Sequence, residues 1–351
     1  MTPAPAVDAM VLHHLVAGPP RHGVTRYAEL LLAAHAVAEG SVTRVHRPLR
    51  PADLPDLLLA LPPGPLHLHV TDHLLGEGPE QALEVVRALA VGRVLGLTLH
   101  DLPQPSDGAP YRRRCVGYAG MARAADAVVV SSMHEHDLLL DLLDGDPTVP
   151  VTVVPLAVPR DAGPVGAGPA PGLAPRGRRE VAVLGFVYPG KGHEEVLRAM
   201  AGLPADVALR VLGGVSPGHD HLLQRLRAIA AVDGREVRID GWVEDAELPQ
   251  LLREVDVPVF APRHVSASAS LLSWRAAGRR PVTTRNRYTE EMALLRPGTL
   301  LLVQDGPTAL AHALAAALAD PAATRLPVVG GTDGADEPAE AARRTFAAVG
   351  P

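Results

Sequence analysis

A glycine-rich turn around Lys191 is the stretch of the chain best suited to binding a phosphate. The turn contains Gly185, Gly190 and Gly192, follows the apolar run at 181–186 and precedes a segment with helical spacing. A strand, a glycine-rich turn and a helix in this order leave backbone N–H groups unpaired at the helix start, where the helix dipole favours an anion. The Lys191 ammonium adds a positive charge. The same pattern also occurs in an ordinary strand-to-helix turn with a solvated lysine.

Two other predicted strands end in polar side chains. His100 and Asp101 follow one strand, shortly before a proline, and Asp72 and His73 follow another. We assign His100 to a reacting centre, where an exposed imidazole would hydrogen-bond a substrate. Asp101 either orients that imidazole or caps the following loop, and the alternative for His100 is a purely structural histidine. We expect Asp72 and His73 to line the same site.

A further turn, with His22 and Gly23, follows the first predicted strand, and we expect both residues at the same site. In an open parallel sheet, ligands bind outside the carboxyl ends of the strands, so these turns are expected at one edge. His67 and His69 alternate along a strand and therefore share one of its faces. Because no third ligand has suitable spacing, no metal site is predicted.

An alternation of strands and helices positions these residues. Apolar runs typical of buried strands alternate with helical patterns over the first 154 residues and again at 180–319. We therefore expect an α/β protein with two doubly wound, Rossmann-like parallel sheets whose strand ends face each other across a cleft. The predicted parts are a first domain at 1–157, a Pro/Gly-rich linker at 158–178, a second domain at 179–335 and a closing helix at 336–351.

Composition excludes several classes of protein. The 351 residues carry a formal net charge of −6, which argues against a general nucleic-acid binder. The single cysteine excludes an intramolecular disulfide and fits a reducing cytoplasm. Neither a signal peptide nor an apolar run long enough to cross a bilayer is recognised, so a cytoplasmic protein is expected.

Taken in order, the motifs resemble those of the GT-B glycosyltransferases, and within them glycosyltransferase family 4. The match is an ordered series over nearly the whole chain rather than one motif. It consists of His22-Gly23-Val24, Thr98 to Pro103, Val128 to Ser132, Val153 to Pro155, Gly185 to Gly192, Val211 to Gly214, Ile239 to Gly241 with Glu247-Leu248, Asp256 to Pro262, Pro281-Val282 and Glu290-Glu291.

The resemblance implies an enzyme that transfers a sugar from a nucleotide-sugar donor, with retention at the anomeric carbon and without a metal or other cofactor. It implies a UDP- or GDP-linked donor held by the second domain and an acceptor held by the first. His100 would then hydrogen-bond a hydroxyl of the donor sugar. The residues assigned to the acceptor side are His22, Gly23, Asp72 and His73. The leaving group is a nucleoside diphosphate, whose charge the Lys191 turn would stabilise in place of a metal. The residues assigned to the donor are Gly185, Gly190, Lys191, Gly192, Ser266, Ser268, Ser270, Ser273 and Arg287.

The chain departs from that family where a pair of glutamates, separated by seven residues, is expected. The segment at 263–280 contains no aspartate or glutamate. The pair is replaced by Ser266 and Trp274 or, in the neighbouring alignment, by Val265 and Ser273. Ser273 would then accept a weaker hydrogen bond than a carboxylate does.

A run of small hydroxyl residues, Ser266, Ser268 and Ser270, leads into a predicted helix in the same segment. Capping oxygens and unpaired N–H groups there would suit a phosphate or a sugar, and simple helix capping is the alternative. The nearby candidates to supply the missing charge are Arg263, Arg285 and Arg287.

Three functions remain open on this basis. The first is an active glycosyltransferase. The alternatives are a glycosyltransferase-like partner or regulatory protein that has lost catalysis, and a GT-B nucleotide-sugar epimerase. The basic run Arg112-Arg113-Arg114 predicts a peripheral contact with an anionic membrane surface or a phosphorylated acceptor, unless it is a solvated helix face.

Overall fold

Two parallel sheets organise the molecule. The computed structural model of the protein describes residues 11–145, 149–158, 179–326 and 337–350. The chain divides into two compact units, one comprising residues 1–157 and 334–351 and the other residues 158–333. Each unit contains one six-stranded sheet, which confirms the predicted α/β class. The predicted linker, apart from Val158, lies outside the described residues.

The first unit alternates strand and helix along the chain. Its strands are β1 His13–Ala17, β2 Val42–Val45, β3 Leu66–Val70, β4 Leu95–Leu99, β5 Ala127–Val130 and β6 Val151–Val153. Its first five helices are α1 Gly23–Ala34, α2 Leu54–Ala60, α3 Pro79–Ala90, α4 Tyr111–Ala124 and α5 Met133–Leu142. The strands are parallel in the order β2-β1-β3-β4-β5-β6. The carboxyl ends of all six therefore lie at one edge.

Both faces of the central strands are covered. Leu66, Leu68 and Val70 of β3 are at most 1% exposed and belong to the main core of this unit. The alternating residues His67 and His69 are also buried, on the opposite face. Because both faces of the sheet are covered, β3 has no solvent-facing position.

The second unit repeats the architecture. Its strands are β7 Glu180–Leu184, β8 Ala208–Leu212, β9 Val237–Ile239, β10 Val257–Phe260, β11 Val282–Thr284 and β12 Leu301–Val303. Its helices are α6 His193–Ala199, α7 Asp220–Val232, α8 Leu248–Glu254, α9 Ala269–Ala276, α10 Arg287–Leu295 and α11 Pro307–Ala319. The parallel order β12-β11-β10-β7-β8-β9 makes β7 and β10 neighbours in the middle of the sheet.

The last helix, α12 Pro338–Val349, packs on the first unit, as the return of the chain to that unit requires. The Phe346 ring lies 4.5 Å from the His14 ring, and Arg344 donates a hydrogen bond of 3.0 Å to the carbonyl of Val153. A Cβ on Gly96 would stand 2.3 Å from a side-chain carbon of Val349, so β4 needs glycine where this helix crosses it.

The predicted alternation of strands and helices is present in both units. Helix α1 ends at Ala34, and a 3-10 turn, Pro51–Asp53, precedes α2. None of the described helices combines the length and apolarity that crossing a membrane requires.

Candidate functional site

Lys191 is buried at the carboxyl edge of the second sheet. It is 8% exposed, and its Nζ donates to Ser270 Oγ at 3.2 Å. The Nζ also lies 5.8 Å from the centre of the Tyr188 ring and 5.7 Å from that of Phe260, within range of cation–π attraction. Among the described residues, no carboxylate is within 4.0 Å of this ammonium. Burial lowers the pKa of Lys191 to about 8.

The glycines of the turn make room for this side chain. Gly185 has φ +117°, and a Cβ there would stand 3.0 Å from both Cε and Nζ of Lys191. Gly192 has φ +94°, and a Cβ there would stand 2.0 Å from the carbonyl oxygen of Ala261. Both positions therefore require glycine for backbone conformation and for space. Gly190 lies in the same turn.

Serines connect Lys191 to the start of α9. Ser268 is the N-cap of this helix, and its Oγ accepts from the N–H of Leu271 at 3.3 Å. The Ser268 and Ser270 hydroxyls are 3.0 Å apart, so a hydrogen-bonded chain runs from the Lys191 ammonium to the cap. Tyr288, which the sequence reading overlooked, fixes this loop because its hydroxyl accepts from the N–H of Ser268 at 3.0 Å. Ser266 is buried two residues earlier.

Other residues assigned to the donor are engaged elsewhere. Ser273 donates to the carbonyl of Ala269 at 3.0 Å within α9. Arg287 is the exposed first residue of α10. Two of the arginines expected to replace the missing charge pair with glutamates instead. Arg263 lies 2.5 Å from Glu195, and Arg285 lies 3.2 Å from Glu290.

His100 differs from the expectation of an exposed imidazole. It is 6% exposed, its Nε2 lies 2.9 Å from His69 Nδ1, and the two rings stack with centres 5.2 Å apart. Burial, followed by repulsion from His22, lowers the pKa of His100 to about 3, so the ring is neutral near pH 7. The expectation of exposure was wrong because the adjacent strand supplies a second histidine that covers the ring.

Arg114 organises the strand ends of the first unit, a role that the sequence did not reveal. Its guanidinium donates to Asp72 at 3.0 Å and to the carboxylate and carbonyl of Asp101 at 2.9 and 2.6 Å, and it also contacts Asp107. Asp101 has φ +54°, a conformation uncommon outside glycine. The Asp101 side chain thus pairs with Arg114 and not with the imidazole, whose orientation was one of the two roles considered for it.

The basic run at the start of α4 is accordingly not a cationic face. Arg114 is buried among three carboxylates, and Arg113 pairs with Glu80 at 2.7 Å. Arg112 remains exposed. Two of the three positive charges are therefore balanced within the unit. The basic run no longer argues for contact with an anionic membrane surface or a phosphorylated acceptor.

The acceptor-side assignments lie at the same edge. His22 is the N-cap of α1, where its Nδ1 accepts from the N–H of Val24 at 3.3 Å, and Gly23 begins the helix. Burial and then the neighbouring His73 lower the pKa of His22. His73 is exposed, whereas Asp72 is 1% exposed and its Oδ1 has no hydrogen-bond partner in the described structure.

The buried histidines form a chain rather than a metal site. His14 Nδ1 lies 3.2 Å from His67 Nδ1, and His67 Nε2 lies 2.9 Å from Thr98 Oγ1. His67 and His69 share a face as predicted, with ring centres 5.0 Å apart. Within the described ranges, no three His, Cys, Asp or Glu side chains are arranged to hold a metal.

One further signal was present in the sequence and was not used. Lys191 is the chain's single lysine, against 32 arginines. A guanidinium is effectively always protonated, whereas a buried ammonium is a compact charge with an adjustable pKa. Lys191 is therefore chemically distinct from the arginines, the basic side chains that are permanently charged in this sequence.

Comparisons with known proteins agree with this architecture. Residues 178–320 match the family model described as glycosyl transferases group 1. The chain is similar in structure to sucrose-phosphate synthase from Thermosynechococcus elongatus, with 18% identity, a TM-score of 0.67, and coverage of 96% of this chain and 94% of that one. No curated protein sequence matches the chain.

Two other solved structures show the same likeness. Anabaena HepE in complex with UDP and glucose has 15% identity and a TM-score of 0.67, covering 97% of this chain and 95% of that one. A UDP-forming α,α-trehalose-phosphate synthase from Burkholderia vietnamiensis has 19% identity and a TM-score of 0.55, covering 94% and 76%. The narrower resemblance to family 4 stays a prediction. The chain has the GT-B fold, and its second unit contains the segment that matches the glycosyl transferases group 1 model.

Proposed function

We propose that the protein is a glycosyltransferase that moves a sugar from a nucleotide-sugar donor to an acceptor, with retention and without a metal. The observation that carries the proposal is the buried Lys191 ammonium, which has Ser270 but no carboxylate beside it among the described residues. A buried charge is costly unless it is paired. An anionic ligand at this position supplies the missing partner.

The diphosphate of a nucleotide sugar fits the chemistry of this position. The leaving nucleoside diphosphate gains negative charge as the glycosidic bond breaks, and a preorganised cation stabilises that charge. The Ser268 and Ser270 hydroxyls lie beside the cation, and the N–H groups of Ala269 and Ser270, in the first turn of α9, have no carbonyl partner within the helix. These donors would act together with Lys191 on the phosphate oxygens.

The structural relatives favour a uridine donor. HepE has been solved with UDP and glucose, and the Burkholderia synthase is described as UDP-forming. We extend this choice to the present chain as part of the proposal, with a GDP-linked donor as the second candidate. The acceptor is proposed to bind at the strand ends of the first unit near His22 and His73, in a cytoplasmic enzyme.

Calorimetric titration with UDP and GDP, with and without magnesium, tests the donor assignment. We expect one nucleotide to bind with micromolar affinity without metal, and Lys191→Met to weaken that binding about 10- to 100-fold, because a charge-assisted contact is lost. Unchanged affinity in Lys191→Met would contradict the proposed site.

The same preparation distinguishes the alternative functions. Absence of binding by either nucleotide would favour a partner or regulatory protein without catalysis. Conversion of a nucleotide sugar into an isomer with no acceptor present would favour an epimerase. Transfer with inversion of the anomeric centre, read by NMR of the product, would contradict the retaining assignment.

A further inference from the structure

A cavity of about 260 Å³ lies in the second unit, beside the turn that carries Lys191. Its wall is formed by the turn at 187–190, by the first residues of α6, by one face of α7 and by Arg263. Lys191 does not line it, because the ammonium is directed to Ser270. Gly190 and Gly192, which are assigned to the donor, also line the cavity, whereas Lys191, Ser268 and Ser270 do not, so the cavity adjoins the proposed phosphate position.

His193 lines this cavity without a partner of its own. It is 3% exposed, and neither Nδ1 nor Nε2 has a hydrogen-bond partner in the part of the chain that the structure describes. Burial, together with the charge of Lys191, lowers the pKa of His193 to about 3. The neutral ring therefore offers one N–H donor and one nitrogen acceptor, and a hydroxyl group can bond to either of them.

Charged side chains on the cavity wall carry an excess of positive charge. Glu194 is shared by Arg198 and Arg225, each at 2.9 Å, and Glu195 pairs with Arg263 at 2.5 Å. Three guanidinium groups thus face two carboxylates. Each guanidinium has five N–H donors, so donors remain after these contacts, in a geometry suited to phosphate.

We propose that this cavity binds a compact, hydroxylated oxyanion of the phosphomonoester class, such as the phosphate of a small polyol. The arginines, above all Arg225 and Arg198, bind the phosphate, and His193 binds a hydroxyl. The cavity volume suits a ligand of about ten non-hydrogen atoms and not a nucleotide. This inference concerns a second ligand and does not require the proposed donor site to be correct.

Occupancy of the cavity is coupled to Lys191. The ammonium and the His193 ring are close enough for the lysine charge to affect the histidine, so an anion bound in the cavity that this ring lines also stabilises the ammonium. Ligand binding in the cavity therefore raises the pKa of Lys191. Because the chain has one lysine, a single ¹⁵N-labelled lysine side-chain signal reports this change.

Calorimetry with glycerol 3-phosphate, inorganic phosphate and glycerol tests the proposal. We expect glycerol 3-phosphate to bind the wild-type protein with a Kd of about 1 mM or lower, inorganic phosphate to bind about tenfold more weakly, and glycerol not to bind measurably. Absence of binding by glycerol 3-phosphate would overturn the proposal. Equal affinity for phosphate and glycerol 3-phosphate would overturn the assignment of a hydroxyl to His193.

A matched pair of variants on α7 locates the ligand. Arg225→Met should weaken glycerol 3-phosphate about tenfold, whereas Arg227→Met, which removes an exposed arginine outside the cavity, should leave it unchanged. Equal effects of the two variants would contradict the site. His193→Leu should remove the preference for glycerol 3-phosphate over inorganic phosphate. Thermal unfolding of each variant verifies that it is folded.

Lys191→Met separates the cavity from the donor site. If glycerol 3-phosphate binding is lost in Lys191→Met and retained in Arg225→Met, the phosphate sits at the lysine and the cavity proposal fails. If UDP does not bind while glycerol 3-phosphate binds and responds to Arg225→Met as expected, the proposed function fails and the cavity proposal stands.

Discussion

Lys191 Nζ lies 3.2 Å from Ser270 Oγ, although 79 positions separate the two residues in the sequence. They meet because the turn with Lys191 follows β7, the serine loop follows β10, and these strands are neighbours in a parallel sheet. Side chains that follow the carboxyl ends of adjacent parallel strands converge at one edge. This contact defines the candidate phosphate site.

Nucleotide affinity should fall as the pH rises above about 8. Burial lowers the pKa of Lys191 to about 8, so below that pH the ammonium is charged and able to bind a phosphate, and above it the neutral amine is not. Titration of the single ¹⁵N-labelled lysine signal gives the pKa, and calorimetry at pH 7 and pH 9 gives the affinity. Affinity that is constant over this range would show that the charge of Lys191 does not contribute.

Ser270→Ala should weaken nucleotide binding about three- to tenfold, because it removes the hydroxyl that positions the Lys191 ammonium. Ser273→Ala is the matched control on the same helix, since Ser273 bonds only to the carbonyl of Ala269 among its described contacts. The expected result is unchanged affinity in the control. Equal losses in the two variants would mean that α9 is disturbed as a whole.

Gly185→Ala should lower both stability and nucleotide affinity. The φ of +117° costs about 1–3 kcal/mol for a residue with a side chain, and the new Cβ would meet the Lys191 ammonium at 3.0 Å. Gly218→Ala is the control, because Gly218 also has a positive φ but no atom within 4 Å of the added Cβ. The control should lose stability and keep its affinity, as measured by denaturant unfolding and calorimetry.

Arg114→Met should destabilise the first unit by about 3–5 kcal/mol, because buried carboxylate charge is left without its partner. Arg112→Met, two residues earlier and exposed, should change the free energy of unfolding by less than about 0.5 kcal/mol. Urea unfolding at neutral pH measures both. A small loss in Arg114→Met would show that the aspartates are satisfied without the guanidinium.

Stability should fall as the pH drops below about 6.5, through the buried histidines. The pKa of His14 is lowered to about 4 and that of His100 to about 3, and those of His67 and His69 are also lowered, with burial as the main cause. The unfolded chain therefore binds more protons than the folded chain below that pH. Each such histidine lowers the free energy of unfolding by about 1.4 kcal/mol for each pH unit below its unfolded-state pKa, until its folded-state pKa is reached.

Thermal unfolding between pH 7 and pH 4 checks this dependence. His67→Leu should make stability depend less steeply on pH, by the contribution of one histidine. Replacement of the exposed His221 by Gln should leave this pH dependence unchanged. A slope that is the same in His67→Leu and in the wild-type protein would indicate that the histidine chain does not determine acid stability.

The sequence by itself determined the order of the strands and helices and the position of the glycine-rich turn around Lys191. Both depend on local patterns, since apolar periodicity reports which faces are buried and glycine reports a backbone with positive φ, as at Gly185 and Gly192. Neighbouring strand ends in a parallel sheet also bring Ser268 and Ser270, which were assigned to the donor, close to this turn.

The tertiary structure decided what surrounds these residues. His100 is buried because His69 of the neighbouring strand stacks on it, and Arg114 faces Asp72, Asp101 and Asp107 because α4 packs beside the strand ends. The last helix returns to the first unit, where Phe346 covers His14. Such contacts join residues that are far apart in the chain, so no local pattern contains them, and burial and charge pairing then fix the protonation and role of each side chain.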